Sequence, residues 1–169
     1  MSSEYSFRRF EINDLKRIDL LDDERELILD HAEFFAALAG LPEPRAYCGT
    51  TFIGDELFYI GAWYEEADGV CRVFVIPSAN SLKRPKTLLK TVREWIAKIE
   101  QAGWAHRIQT LSLPIDRIDR WMEALGFLYE GTLRQYSKTG QDYKLWSRVK
   151  QDGVWRDQKP NTRLLDCVK

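Results

Sequence analysis

The sequence predicts a mixed α/β fold: a mostly antiparallel sheet with one internal parallel β–α–β unit and helices on both faces. Three observations predict it. Aromatic and β-branched residues gather in short runs bounded by Gly, Asp and Pro, as strands do. A helical stripe, Leu88, Leu89, Val92, Trp95, Ile96 and Ile99, lies between two such runs, "VCRVFVI" (residues 70–76) and "RIQTLSL" (107–113). A helix joining two strands in this way implies a parallel, right-handed crossover, and neighbouring parallel strands at such a point often leave a ligand cleft.

Each element follows from its own residues. "YSFRRFEI" (5–12) alternates aromatic and basic side chains and reads as a half-exposed edge strand. Asn13 and Asp14 offer caps to a helix over "LKRIDLL" (15–21). A second helix is expected over residues 22–41, with acids in its first turn, His31 on its face as a structural residue, and Gly40 past its apolar stripe. Pro42 and Pro44 break it.

"AYCGTTFI" (46–53), "LFYIGAWYEE" (57–66) and "VCRVFVI", joined by "GDE" and "ADG", form a meander of three strands. The long helix covers residues 86–103, with Glu94 and Lys98 paired on its outer face. "RIQTLSL" is a strand that Pro114 closes, "DRIDRWMEAL" (116–125) is a short helix ending at Gly126, and residues 127–138 and 143–150 make a last hairpin. The expected domain spans 1–150; the extension 151–169, with Trp155, Leu164, Leu165 and Val168, has no assigned structure.

Composition bounds the function. A chain of 169 residues with 44% hydrophobic content suits one globular domain with its own core. A net charge of −1 gives no general attraction to nucleic acid or an anionic membrane, so neither is expected as a partner. No apolar run reaches the roughly 20 residues of a membrane span, and the N-terminus lacks the apolar segment of a signal peptide. The three cysteines, Cys48, Cys71 and Cys167, are widely spaced and odd in number, which fits a reducing compartment and no metal site. The expected location is cytoplasmic.

The ending "WMEALGFLYEGTLRQYSKTGQDYKLWSRV" (121–149) carries a resemblance. A short helix reaches "LGF", "EG-x-x-R" lies on the next strand and "G-x-D-x-x-x-x-S" on the last hairpin. Together with the element order over residues 5–150, this resembles the GNAT (Gcn5-related N-acetyltransferase) superfamily, and it is similar to divergent GNAT-like proteins of tailed phages and prophages. The resemblance implies acetyl-CoA as cofactor and an amine of a small molecule or protein as acceptor.

It also implies a pyrophosphate loop after the strand 70–76. Val75 and Pro77 match the family's V-x-P, and Leu88 and Leu89 fall eleven and twelve residues after Pro77, at the family spacing. That frame puts Asn80 at the Q/R position, Lys83 at the first glycine and Pro85 at the second small residue. The loop keeps its length and lacks its glycines, so backbone approach to a pyrophosphate is weakened. Val75, Ile76, Ser78, Lys83, Arg84, Lys86 and Thr87 are the implied cofactor-binding residues, set against the plain alternative of a solvated helix start.

The family's catalytic Asn and Tyr positions hold Ile115 and Met122, neither of which donates a proton. Ser112 is then the candidate catalytic residue, able to polarise a water, against the reading of a core hydroxyl. Glu65, Glu66 and Asp68 read as a solvated turn. Two further functions stay open: a catalytically silent structural or assembly component, such as one of a phage virion, and a sensor of CoA or another phosphorylated ligand. The tail would then serve self-association or a protein partner.

Overall fold

The computed structural model describes residues 5–20, 32–42 and 46–155. The first part of the expected second helix with His31, residues 43–45 with Pro44, and residues 156–169 with Leu164, Leu165, Cys167 and Val168 lie outside the described residues. The elements are β1 (Tyr5–Arg9), α1 (Asp14–Arg17), α2 (Ala32–Gly40), β2 (Ala46–Ile53), β3 (Glu56–Ala67), β4 (Val70–Pro77), α3 (Ala79–Leu82), α4 (Pro85–Gln101), β5 (Arg107–Ser112), α5 (Asp116–Ala124), β6 (Leu128–Leu133), β7 (Tyr143–Gln151) and β8 (Val154–Trp155). The strand order is β1-β2-β3-β4-β5-β7-β6, with β8 pairing β7. The chain forms two compact units, residues 1–66 with 72–88, and 67–71 with 89–169.

In the first unit, β1 pairs antiparallel with β2 from Tyr5↔Ile53 to Arg9↔Gly49, and β2 pairs antiparallel with β3. β1 is the edge that its alternation predicted. The core gathers Phe10, Leu15, Ile18, Phe35, Leu38, Ile60 and Ile76. Each such side chain contributes about 1.5–3 kcal/mol by leaving water. Phe34, Phe35, Tyr64 and Phe74 meet at its margin, with Tyr64 stacked on Phe74 at 6.0 Å between centroids.

The helix expected over 15–21 is shorter than its pattern. It ends at Arg17, and Ile18 turns extended with ψ 127°. Ile18 and Leu20 are both buried, and the extended chain presents the Asp19 carbonyl to the Ala79 amide at 2.6 Å. Tertiary contacts outweigh local propensity here. Asp14 is buried: its carboxylate accepts a bidentate pair from Arg8, 2.6 Å from Thr50 Oγ1 and 3.0 Å from the Glu11 amide. Burial alone would push this carboxyl up; the hydrogen bonds outweigh it and hold it below the ordinary carboxylate range.

In the second unit, β7 lies between β5 and β6, antiparallel to both. The Gly69 carbonyl, just ahead of β4, accepts the His106 and Arg107 amides at 2.9 and 3.2 Å. β4 and β5 therefore begin side by side and form the one parallel pair among the described strands, as the crossover required. Val92, Trp95, Ile96 and Ile99 of the α4 stripe are buried, as are Ile108, Met122, Phe127 and Trp146.

α5 closes in a Schellman arrangement: the Phe127 amide bonds Met122 O at 3.0 Å and the Gly126 amide bonds Glu123 O at 2.9 Å. Gly126 has φ +81°, and Arg148 fills the place of a Cβ there while donating to Leu125 O at 2.7 Å. The same guanidinium pairs with Glu100 of α4 at 2.7 Å.

The expected boundary at residue 150 falls inside β7, which runs to Gln151. Asp152 (φ 53°) and Gly153 (φ 77°) make a type I′ turn into β8, and Lys150 Nζ lies 5.3 Å from the Trp155 ring centre.

Candidate functional site

The loop after β4 belongs wholly to the first unit. Alternation along β4 puts Ile76 in the core and leaves Val75 half-buried on the opposite face. Ser78 is buried, its amide bonded to Phe58 O at 3.0 Å. It caps α3: its Oγ accepts the Ser81 amide at 3.1 Å, and Ser81 Oγ returns a bond to Ser78 O at 2.7 Å.

A helical turn occupies the stretch where the resemblance implied a pyrophosphate loop. The Ala79 amide is held by Asp19 O, Leu82 by Ser78 O at 3.2 Å, Lys83 by Asn80 O at 3.2 Å and Arg84 by Ser81 O at 2.9 Å. Lys83 has φ −74°, an ordinary right-handed conformation. The frame position of the first glycine thus needs no glycine, because the loop does not take the φ > 0 path there. The amides of residues 81–84 bond within the turn instead.

Pro85 is the first residue of α4, where a missing N–H costs nothing. The Leu88 amide reaches back to Arg84 O at 3.0 Å, so the amides of Lys86 and Thr87 precede the helical ladder. Lys83, Arg84 and Lys86 are exposed around this start and Thr87 is half-buried. Lys83 Nζ donates to Asn80 Oδ1 at 3.0 Å, and Arg84 Nη2 to Glu56 Oε2 at 2.6 Å. The structure therefore brings Ser78, Lys83, Arg84, Lys86 and Thr87 together and sends Ile76 to the core.

Ser112 lies in the other unit, at the end of β5. It is buried, and its Oγ accepts Trp146 Nε1 at 3.0 Å. Met122 is a buried apolar residue of α5, and Ile115 is its N-cap position, with no side-chain bond. Nearby, Lys144 pairs with Asp119 and lies 5.7 Å from the Tyr129 ring centre. Glu130 is held by Arg107 and Ser147, and the Arg107 bond keeps its carboxyl below the usual range.

Glu66 is no loose turn residue: it holds Arg72 at 2.8 and 3.0 Å. Burial pushes the Cys48 thiol up to about 12, with the Asp14 charge adding to it, so it is no nucleophile at neutral pH. Among the described residues no group of three His, Cys, Asp or Glu side chains is placed to hold a metal ion. No helix among them is long and apolar enough to cross a membrane.

No family model matches the chain, and no curated protein matches it by sequence. Solved structures do match. A chimera of the spermidine N-acetyltransferase SpeG from Vibrio cholerae and hSSAT superposes with a TM-score of 0.64 at 14% identity, over 87% of this chain and 96% of that one. A GNAT-family acetyltransferase from Streptococcus pneumoniae gives 0.62 at 12% identity, over 87% and 100%. RimL, a ribosomal-protein α-N-acetyltransferase in complex with coenzyme A, gives 0.63 at 11% identity, over 88% and 95%. The chain has the GNAT acetyltransferase fold.

Under the expected alignment on Val75, Pro77, Leu88 and Leu89, the family pattern Q/R-x-x-G-x-G/A falls on residues 80–85, a stretch that runs from α3 to the first residue of α4. The cations of this loop carry a sequence signal, whereas Glu56 and Asp19, the two partners that the loop uses from elsewhere in the first unit, carry none. Glu56 opens a strand after "GD" with no local pattern to mark it, and Asp19 contributes only a carbonyl.

Proposed function

We propose that this chain is an acyl-CoA-binding, N-acetyltransferase-like protein that acts on an amine of a small molecule or protein. The observation that carries the reading is the passage from Val75-x-Pro77 through the Ser78 cap into the basic start of a 17-residue helix, inside a GNAT fold. A helix start ringed by Lys83, Arg84 and Lys86 suits a pyrophosphate held by side chains and the helix dipole. Such a cradle is degenerate, since the amides of Ala79 and of residues 81–84 are bonded within the chain. With acetyl-CoA as donor, the amine attacks the thioester carbonyl, the C–N bond forms, and CoA leaves as its thiol after taking up the proton that the amine gives up. Proximity in the complex supplies much of the rate, and no strong acid or base is required of Met122 or Ile115.

The direct test is thermal. Acetyl-CoA at about 100 times its Kd should stabilise the protein by roughly 2.7 kcal/mol, seen as a raised melting temperature. An unmoved melting curve at millimolar ligand removes the reading. Lys83→Ala with Arg84→Ala is expected to weaken CoA binding at least about tenfold, through loss of two charge-assisted contacts. Calorimetry showing equal affinity would put any nucleotide site elsewhere.

A second reading, a catalytically silent GNAT-fold component of an assembly such as a phage particle, is favoured by a separate observation. The Ser112 hydroxyl is already bonded to Trp146, and the family's acid position is the buried Met122. CoA binding without turnover of any amine in an acceptor screen distinguishes it from the first.

A further inference from the structure

Arg84, one of the loop's cations, is already engaged. Arg84 donates to Glu56 at 2.6 Å, and its guanidinium carbon lies 5.8 Å from the centre of the buried Phe58 ring. Glu56 Oε1 is buried with no hydrogen-bond partner among the described residues. The pairing of this carboxylate therefore rests on Arg84. A carboxylate and a phosphate group compete for the same guanidinium edge, because both offer two coplanar oxygens at matching separation.

We propose that Glu56 is a specificity-determining residue of the loop, an internal anion that a phosphorylated ligand must displace from Arg84. The inference rests on the reading of this loop as the CoA-pyrophosphate site. Displacement leaves a carboxylate without its cation beside the incoming phosphates. A ligand with several charges, such as a pyrophosphate, makes up this loss through Lys83, Lys86 and the start of α4. A singly charged anion gains only Arg84 and is turned away. The salt link between the start of β3 and the loop thus filters for polyanions.

Calorimetric titration with CoA, and separately with inorganic pyrophosphate, tests this on the full chain as wild type, Glu56→Gln, Glu56→Ala, and each of these combined with Arg84→Ala. Removing the competitor should tighten CoA binding about fivefold, the upper range for a solvent-accessible pair, and the gain should vanish when Arg84 is also replaced. If wild type binds CoA and both Glu56 variants stay within twofold of it, the proposal is overturned. It is equally overturned if the gain survives without Arg84. If neither wild type nor the Glu56 variants bind CoA or pyrophosphate, the reading of the loop itself fails and takes this inference with it.

Discussion

Asp14→Ala is expected to lower folding stability by about 1.5–3 kcal/mol, the range for losing charge-assisted hydrogen bonds to a buried carboxylate whose cation, Arg8, still reaches solvent. Asp14 is fully buried and serves four donors: both Arg8 amino groups, the Thr50 hydroxyl and the Glu11 amide. Its loss strands the buried Thr50 hydroxyl at the junction of β1, α1 and β2, while Arg8 keeps access to water. Urea or guanidinium unfolding measures the cost, and a change under about 1 kcal/mol would show that water replaces the carboxylate at little expense. The group also sets an acid limit. Its folded pKa lies below the unfolded value, so its contribution is complete above the unfolded pKa and is lost as pH falls through the folded one. Stability should therefore fall on the acid side, below about pH 4. Asp14→Asn should flatten that fall, and an unchanged acid slope would sink the assignment.

Gly126→Ala is expected to cost about 2.5–5 kcal/mol, because two penalties coincide. The residue sits at φ +81°, where a side chain costs about 1–2 kcal/mol. A Cβ would also displace the Arg148 guanidinium from its bond to Leu125 O, a charge-assisted contact of about 1.5–3 kcal/mol. Arg148→Lys separates the terms: it should reduce the penalty of Gly126→Ala to the backbone part, read from a double-mutant cycle. Full additivity of the two substitutions would mean that the guanidinium does not feel the new methyl.

The fold was legible where residues speak locally. The three-strand meander, the α4 stripe and the parallel pair came from alternation, Gly and Asp turns and helical spacing, and "LGF" marked a helix end whose glycine has a physical reason in Arg148. The Asp152–Gly153 turn carries a sequence signal too: Asp-Gly between "SRVKQ" and "VW" marks a hairpin. The short α1 was not legible, since its end depends on Asp19 serving a loop sixty residues away in sequence. The candidate site divides in the same way. Lys83, Arg84 and Lys86 announce themselves by charge. The α3 turn that absorbs the loop amides is set by Ser78 and Ser81 with the Phe58 and Asp19 carbonyls, and neither carbonyl leaves a trace in residue type.

The inward-bonded amides of residues 81–84 have a consequence for how this loop would discriminate. Backbone N–H groups fixed in a nest read the shape of an anion at contact distance and are screened little by salt. Lysine and arginine on flexible stems read mainly the amount of charge, across a distance that counterions can enter. At physiological ionic strength the Debye length is about 8 Å, comparable with the reach of those side chains. A ligand held here would therefore come and go with the ionic composition of its surroundings.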